Sequence, residues 1–528
     1  MKVNIEKSNI ACLGPWSGTL CSDIQMNWVT EYLFYLGIYI PLRGSVDCFN
    51  QNFQIKLKET ESTLNIWRHR NLTLLGKITI IKSLVMPKFV YLFSNIQDPP
   101  KRFFDELQRL LFNFLWNQKT DRIKRIIMYD DYKNGGLKMP HAESFCQALK
   151  VSWVKRFLEE ETQTGTKKWK LFSKFFLEKC GGKSVFRGNF SAQDCNHLSV
   201  NLFWIDVLKA WAHYRYYNPA RYKDILWQSI WNNSFIKVAG KTVFYKRWSN
   251  ASIFYVRDLI RENGFFKSFE ELQAEFNLPI SNYLDYFAIL SAIPAEWKRV
   301  LKQEHVNVDE QPEFFDDKLE AFVCHKSPVK FCYSQLLKKI CPTEYSRVLL
   351  KWETDLQQPL ESLIIWRKRF NISFFATLDT KIRTFQFKFL HRIIATNKFL
   401  FKIGIKSSPN CNLCNTEEQT LLHLFFYCDY VRTFWQNVTK WLERTAILSS
   451  PLTCIDICFG IDTQKTLVNT IILYAKHFIF RNKCQDKTLS FDQFKNEIIY
   501  LEKVERAIAY RKGKLTFHRT KWCLLLAV

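Results

Sequence analysis

Three cysteines and a histidine make the most specific chemical pattern in the chain: Cys411-x2-Cys414-x8-His423-x4-Cys428, four ligands within 18 residues. Zinc takes four such donors tetrahedrally, and a C-x2-C turn delivers two thiolates from one tight loop. His423 and Cys428 follow an acidic turn (Glu417, Glu418) and stand near one helical turn apart, able to close the site. With all four positions filled by protein, the expected ion is structural Zn2+, not catalytic. Cys454-x3-Cys458 and Cys324-His325 have no matching second half and read as core or surface residues. His391 sits in a basic stretch and reads as a polar contact, not a ligand.

A second pattern is a decoy. Met128-Tyr129-Asp130-Asp131 has the composition of an aromatic-x-Asp-Asp hairpin whose carboxylates would hold two metals for phosphoryl transfer. The aromatic stands one place late, however, and Tyr132-Lys133-Asn134-Gly135-Gly136 is a polar turn where a hairpin would return as an apolar strand. The expectation is a loop and no catalytic residue. Asp105-Glu106 reads as a solvated helix face.

The third pattern is charge. Lys and Arg total 76 against 50 Asp and Glu, a net charge of +26, which suits a polyanionic partner, nucleic acid before an anionic membrane. Between Trp366 and Lys406 stand ten basic residues, opposed by Asp379 alone. Lys381, Lys388 and Arg392, spaced by 7 and 4, are expected on one helical face, with Ile382, Phe385, Phe389 and Ile393 on the core face. Lys77, Lys82 and Lys88 form a second candidate phosphate-contacting set, on a separate surface. RNA and DNA are the expected partners; no small-molecule substrate and no membrane are inferred. No stretch reaches the roughly 18 apolar residues of a spanning helix. The sixteen cysteines and the absence of a secretory h-region after Met1 suit reduced thiols in cytoplasm and nucleus.

Elements that would position these groups follow from periodicity. Residues 1–40 read as strands and turns, with Val3 and Ile5 alternating, a turn at Gly14-Pro15, and a β-rich run from Tyr32 to Ile40 ended by Pro41. Leu72, Leu75, Ile78, Ile81 and Val85 trace an amphipathic helix that must end or kink near Met86-Pro87. A further helix follows Pro99-Pro100, with Phe103, Leu107, Leu110, Leu111, Phe114 and Leu115 at i/i+3/i+4 spacing. Residues 165–360 read as aromatic-rich and mainly helical, broken at Gly181-Gly182, Pro279 and Pro312, with an acidic loop from Asn307 to Asp317. The fold class expected is mainly α with a small N-terminal β segment, in several domains, the last a helical domain carrying the zinc knuckle.

The order of short motifs resembles that of LINE-type (non-LTR) retrotransposon polymerases along nearly the whole chain. Val3-Asn4-Ile5-Glu6-Lys7-Ser8 resembles the Asn-x-x-Lys-Ser/Thr strand that follows that family's catalytic hairpin, and Tyr35-Leu36-Gly37-Ile38 its primer-grip strand. Trp67, Leu72 to Ile78, Lys82 and Met86-Pro87-Lys88 are similar to its thumb, followed in order by Phe114-Leu115-Trp116 and Gly135-Gly136-Leu137. His391-Arg392, the knuckle and Phe434-Trp435 are similar to its C-terminal domain. The resemblance implies palm and primer-grip strands at 1–40, a thumb at 41–160, a wrist-like region at 161–365 and a basic C-terminal domain at 366–528, with the knuckle at 411–428. It implies a role in gripping RNA template and DNA primer during target-primed reverse transcription. The family's three catalytic aspartates lie upstream of the part this sequence resembles, so the expected chain is inactive alone. Two alternatives stay open: polymerase activity completed by a separate fragment, and a host-adopted zinc-dependent RNA-binding or scaffold protein.

Overall fold

The computed structural model describes all residues except 1–3, 6–7, 13, 17–18, 21–24, 43–47, 160–166, 199, 304–306, 308–316, 342–345, 361–362 and 527–528. Val3, Glu6 and Lys7 of the expected Val3–Ser8 strand, and most of the Asn307–Asp317 loop, lie outside the described residues. Elsewhere the chain is mainly helical, and its described strands form three short two-stranded pairs. The β-rich run is two strands, not one: Tyr32–Tyr35 pairs antiparallel with Ile38–Pro41. Leu36 and Gly37 turn between them with φ of 47° and 82°, the left-handed pair that a tight hairpin requires and glycine adopts without cost. The buried Asn52 amide extends this pairing, accepting from Tyr39 N–H (2.9 Å) and donating to Tyr39 C=O (2.8 Å).

The kink expected near Pro87 takes a specific form. Thr73 caps the helix Leu74–Ile80, a π turn spans Ile81–Val85, and Pro87 opens the helix Pro87–Asn95. Proline at that first position loses nothing, because its missing N–H would have had no helical partner. The helix after Pro99-Pro100 runs from Lys101 to Leu115, with Phe103, Leu107, Leu111, Phe114 and Leu115 buried.

Two compact units account for the chain: Met1–Ile66 with Lys82–Leu111 and Pro140–Ile340, and Trp67–Ile81 with Phe112–Met139 and Cys341–Val528. In the first, the helices Ala142–Leu158, Leu202–Arg215 and Pro328–Ile340 pack on one another around Trp204, Trp211 and Phe322. Its buried Lys150 ammonium is paired with Asp98 at 2.8 Å. A second cluster gathers Trp231, Trp248 and Trp297. In the other unit, the helix Thr466–Cys484 packs against Leu363–Ala376 and Thr380–Leu390. The core there is built on Trp352, Phe389, Phe425 and Trp435 and includes two of the knuckle cysteines, Cys411 and Cys428. No described helix is long and apolar enough to cross a membrane.

Candidate metal centre

The knuckle closes through two local devices. The first is the Cys411–Cys414 turn: Asn415 N–H reaches Cys411 C=O at 2.8 Å, with Asn415 in a left-handed conformation (φ 59°), and Cys411 N–H returns to Glu417 C=O at 2.8 Å. The second is a π turn over His423–Tyr427. At about 3.6 residues per turn, an α-helix would swing a residue five places on away from the face of the first. The wider turn, closed by Cys428 N–H on His423 C=O at 3.0 Å, brings the x4 spacing back to one side. Behind it, Trp435 donates its indole N–H to Phe425 C=O (2.9 Å) and Phe434 stacks on Phe478, so the Phe434-Trp435 pair fixes the π turn to the core.

The ligand atoms of Cys411, Cys414, His423 and Cys428 all lie within 4.8 Å of one another, and His423 Nε2 stands 3.4 Å from Cys414 Sγ. Zn–S bonds of about 2.3 Å set tetrahedral edges near 3.8 Å, so one ion reaches all four with a small contraction. Two of the three thiols, Cys411 and Cys414, are held toward thiolate. Cys411 is lowered to about 4, first by the hydrogen bond that Cys428 donates to it, then by Gln419 and the N–H groups of Cys414 and Leu413. Cys428, as that donor, is raised. At Cys414 burial raises the pKa, but hydrogen bonds from the Thr416 hydroxyl, the Glu417 and Thr416 N–H groups and His423 outweigh it. His423 presents Nε2 to the sulfurs, while Glu417 Oε2 comes within 2.8 Å of its buried Nδ1, close enough for an ion pair but without hydrogen-bond alignment. A carboxylate at that position favours the proton on Nδ1 and leaves Nε2 free to ligate.

Residues 354–435 match the family described as zinc-binding in reverse transcriptase. All four ligands fall inside that region. The chain therefore carries a zinc-binding region related to that of reverse transcriptases, and the ion the residues suit is zinc in a structural role.

Around this reverse-transcriptase-type region the basic residues are placed unevenly. The helix bearing Lys381 and Lys388 ends at Leu390, not beyond Arg392. Arg392 turns left-handed (φ 57°), with its N–H on Phe389 C=O and the Ile393 N–H on Lys388 C=O, a Schellman-type stop. Arg392 is thus off the expected face; its guanidinium pairs with Asp355 and lies 4.5 Å from the Trp352 ring centre. Lys381 is exposed, Lys388 half-buried.

Lys77 is buried, not on the surface. Its ammonium donates to Phe114 C=O (2.9 Å), Leu115 C=O (3.2 Å) and Asn117 Oδ1, capping the end of the Lys101–Leu115 helix. Burial, helped by repulsion from Arg68 and Lys388, lowers its pKa to about 8. Lys77 and Lys388 consequently share one compact unit, while Lys82 and Lys88 belong to the other. Lys82 is exposed, and Lys88 is half-buried and donates to Glu59 C=O and Thr63 Oγ1. His391 is a polar contact: Nε2 lies 2.7 Å from Gly135 C=O, joining the Gly135-Gly136 turn to the segment leading to the knuckle. Asp130 and Asp131 lie in a loop. Asp130 Oδ1 accepts from Asn134 Nδ2 and Asp131 N–H, and Asp131 pairs with Lys138 at 3.1 Å. Cys458 is buried in the core and Cys324 exposed.

Sequence patterns missed Gln419 and Arg122. Gln419 is fully buried and bridges Cys411 Sγ (from Nε2, 3.5 Å) to Asn397 N–H (on Oε1, 3.0 Å). In the sequence it is one polar residue among Thr416 to Thr420, with nothing in its type to separate it. Arg122 is remote from the basic run along the chain and neighbours it only in space.

Proposed function

We propose that this chain is the nucleic-acid-binding C-terminal portion of a non-LTR retrotransposon polymerase, gripping RNA template and DNA primer in target-primed reverse transcription. The observation that carries the reading is the four-ligand zinc centre inside a region matching zinc-binding in reverse transcriptase. The ordered thumb-like and C-terminal motifs and the net charge of +26 support it. Zinc holds the Cys411–Cys428 segment in shape, and cations on the adjoining surface supply phosphate contacts. Those contacts carry affinity without sequence information. Such a role belongs in cytoplasm and nucleus.

In this reading polymerase chemistry is not a property of these 528 residues, because Asp130 and Asp131 spend their carboxylates on loop contacts. Filter binding to RNA and single-stranded DNA, with zinc present and after chelation, tests the first half. Binding that weakens strongly when zinc is removed is expected, and no binding at any salt would refute the proposal. Primer extension on an RNA template tests the second. No extension is expected; extension abolished by Asp130→Ala would overturn it.

A further inference from the structure

Beside the zinc centre, within the same compact unit, runs an open cleft of about 800 Å3. Its walls include Arg122, Arg392, Lys398 and Lys402, with Asp355 as the acid facing them. Asp355 is already engaged by Arg392, whose Nη1 is buried with no hydrogen-bond partner. Lys398 pairs with Glu418 at 2.6 Å, but both side chains are about half exposed, where water screens the pair and a phosphate can compete for the ammonium. Arg122 and Lys402 are exposed and make no ion pair among the described residues. Lys388 stands close enough to Arg122 for repulsion to add to burial in lowering its pKa. The cleft is therefore short of negative charge. It also holds an apolar feature that a free phosphate site would not need: Phe399 lines it and is 52% exposed. The helix Asn397–Lys402 that carries Phe399, Lys398 and Lys402 is tied to the knuckle, since Asn397 N–H and Nδ2 bond to Gln419 Oε1 and Asn410 C=O.

We propose that this cleft is a single-strand grip, in which phosphates of RNA or DNA lie along Arg122, Lys398 and Lys402 and a base stacks on Phe399. One-sign walls concentrate a polyanion in a cleft, and an exposed ring offers a stacking platform that every base can use. A duplex keeps its bases stacked on each other and has none to give Phe399. Anchoring of the helix to Gln419 makes the zinc centre the support of this grip.

The assignment rests on the nucleic-acid reading above, and the following measurement separates the two. Anisotropy titrations use the full chain with oligo(U), oligo(dT) and a duplex of equal length. The variants are Phe399→Ala, Phe399→Trp, Arg122→Glu with Lys402→Glu, and a charge-matched pair outside the cleft, Lys503→Glu with Arg511→Glu. Zinc content of each variant checks that the centre is intact. Phe399→Ala is expected to weaken oligo(U) and oligo(dT) binding by about 5- to 100-fold, with Phe399→Trp restoring it and duplex binding little changed. The cleft pair is expected to lose about tenfold or more on single strands, the outside pair much less. Equal losses from the two pairs, or binding indifferent to Phe399→Ala, overturn the cleft and leave the broader reading standing. A wild-type chain that binds none of the probes overturns both.

Discussion

Gln419 shows how far the zinc centre depends on residues that never touch the ion. Its amide is fully buried, with Nε2 on Cys411 Sγ and Oε1 on Asn397 N–H. Losing the first bond raises the cost of thiolate, and losing the second leaves a buried N–H unpaired. Partners of this kind typically alter metal affinity by about 10- to 100-fold. Gln419→Leu, close in volume but unable to bond, is expected to weaken zinc by about tenfold in competition with a chromophoric chelator, while still binding one ion per chain. Cys414→Ser with Cys428→Ser removes two ligands and is expected to lose the ion and much of the folding energy, which for small structural zinc sites reaches about 10–16 kcal/mol. His391 gives a separate handle at the same scale. Burial lowers its pKa to about 4, partly offset by the hydrogen bond to Gly135. The unfolded ring titrates near 6.5, so above that pH neither state holds the proton and the residue adds no pH dependence. Between about 6.5 and 4 the unfolded chain takes up a proton that the folded chain refuses, and stability falls as pH falls. At pH 5 that loss is about 2 kcal/mol. Denaturant unfolding of the wild type minus that of His391→Gln, followed across this window, is expected to show it; a pH-independent difference would remove His391 as the cause.

At the scale of elements, Lys77 separates a structural lysine from a binding one. A helix end carries unpaired carbonyls and the negative end of the helix dipole, and a buried ammonium answers both. Lys77→Met keeps the aliphatic stem and removes the donor, leaving Phe114 and Leu115 C=O buried without it. A loss of about 2–3 kcal/mol in unfolding free energy is expected, with RNA affinity of the folded protein unchanged. Unchanged stability with weakened binding would put Lys77 back among the phosphate contacts. The lysine was legible as a lysine on a helix, but its direction was not, because periodicity places a side chain on a face without saying what packs there. The same limit applies at Arg392: a 7-and-4 spacing is helical only while the helix lasts, and the left-handed turn at Arg392 has no glycine to announce it. Where local chemistry is decisive, reading succeeds. The C-x2-C turn, the break at Pro87 and the Gly135-Gly136 turn all stand where their residue types require. Gly136 is an instance: a Cβ there would lie 2.1 Å from Asp130 C=O, so only glycine fits.

For the whole molecule the governing quantity is +26 of charge, and the question is how much of it meets phosphate. Several basic residues of the 366–406 run are spent internally: Arg383 donates to Phe374 and Thr377 C=O, Arg369 to Gly460 C=O, and Arg392 pairs with Asp355. Charge counted along the sequence therefore overstates the charge offered to a ligand. Counterion release converts the difference into a slope. For single strands log K falls with log [salt] by about 0.7 for each phosphate neutralised. If Lys381, Arg122 and Lys402 each neutralise one phosphate, changing any of them to Gln flattens the slope by about 0.7, and changing all three flattens it by about 2. Lys77→Met, with its ammonium already committed to carbonyls, leaves the slope as it was. Filter binding of the wild type, the three single variants, the triple variant and Lys77→Met over a salt series reads this directly. A triple variant with the wild-type slope would mean that the exposed cations do not touch phosphate, however strongly the chain as a whole attracts it.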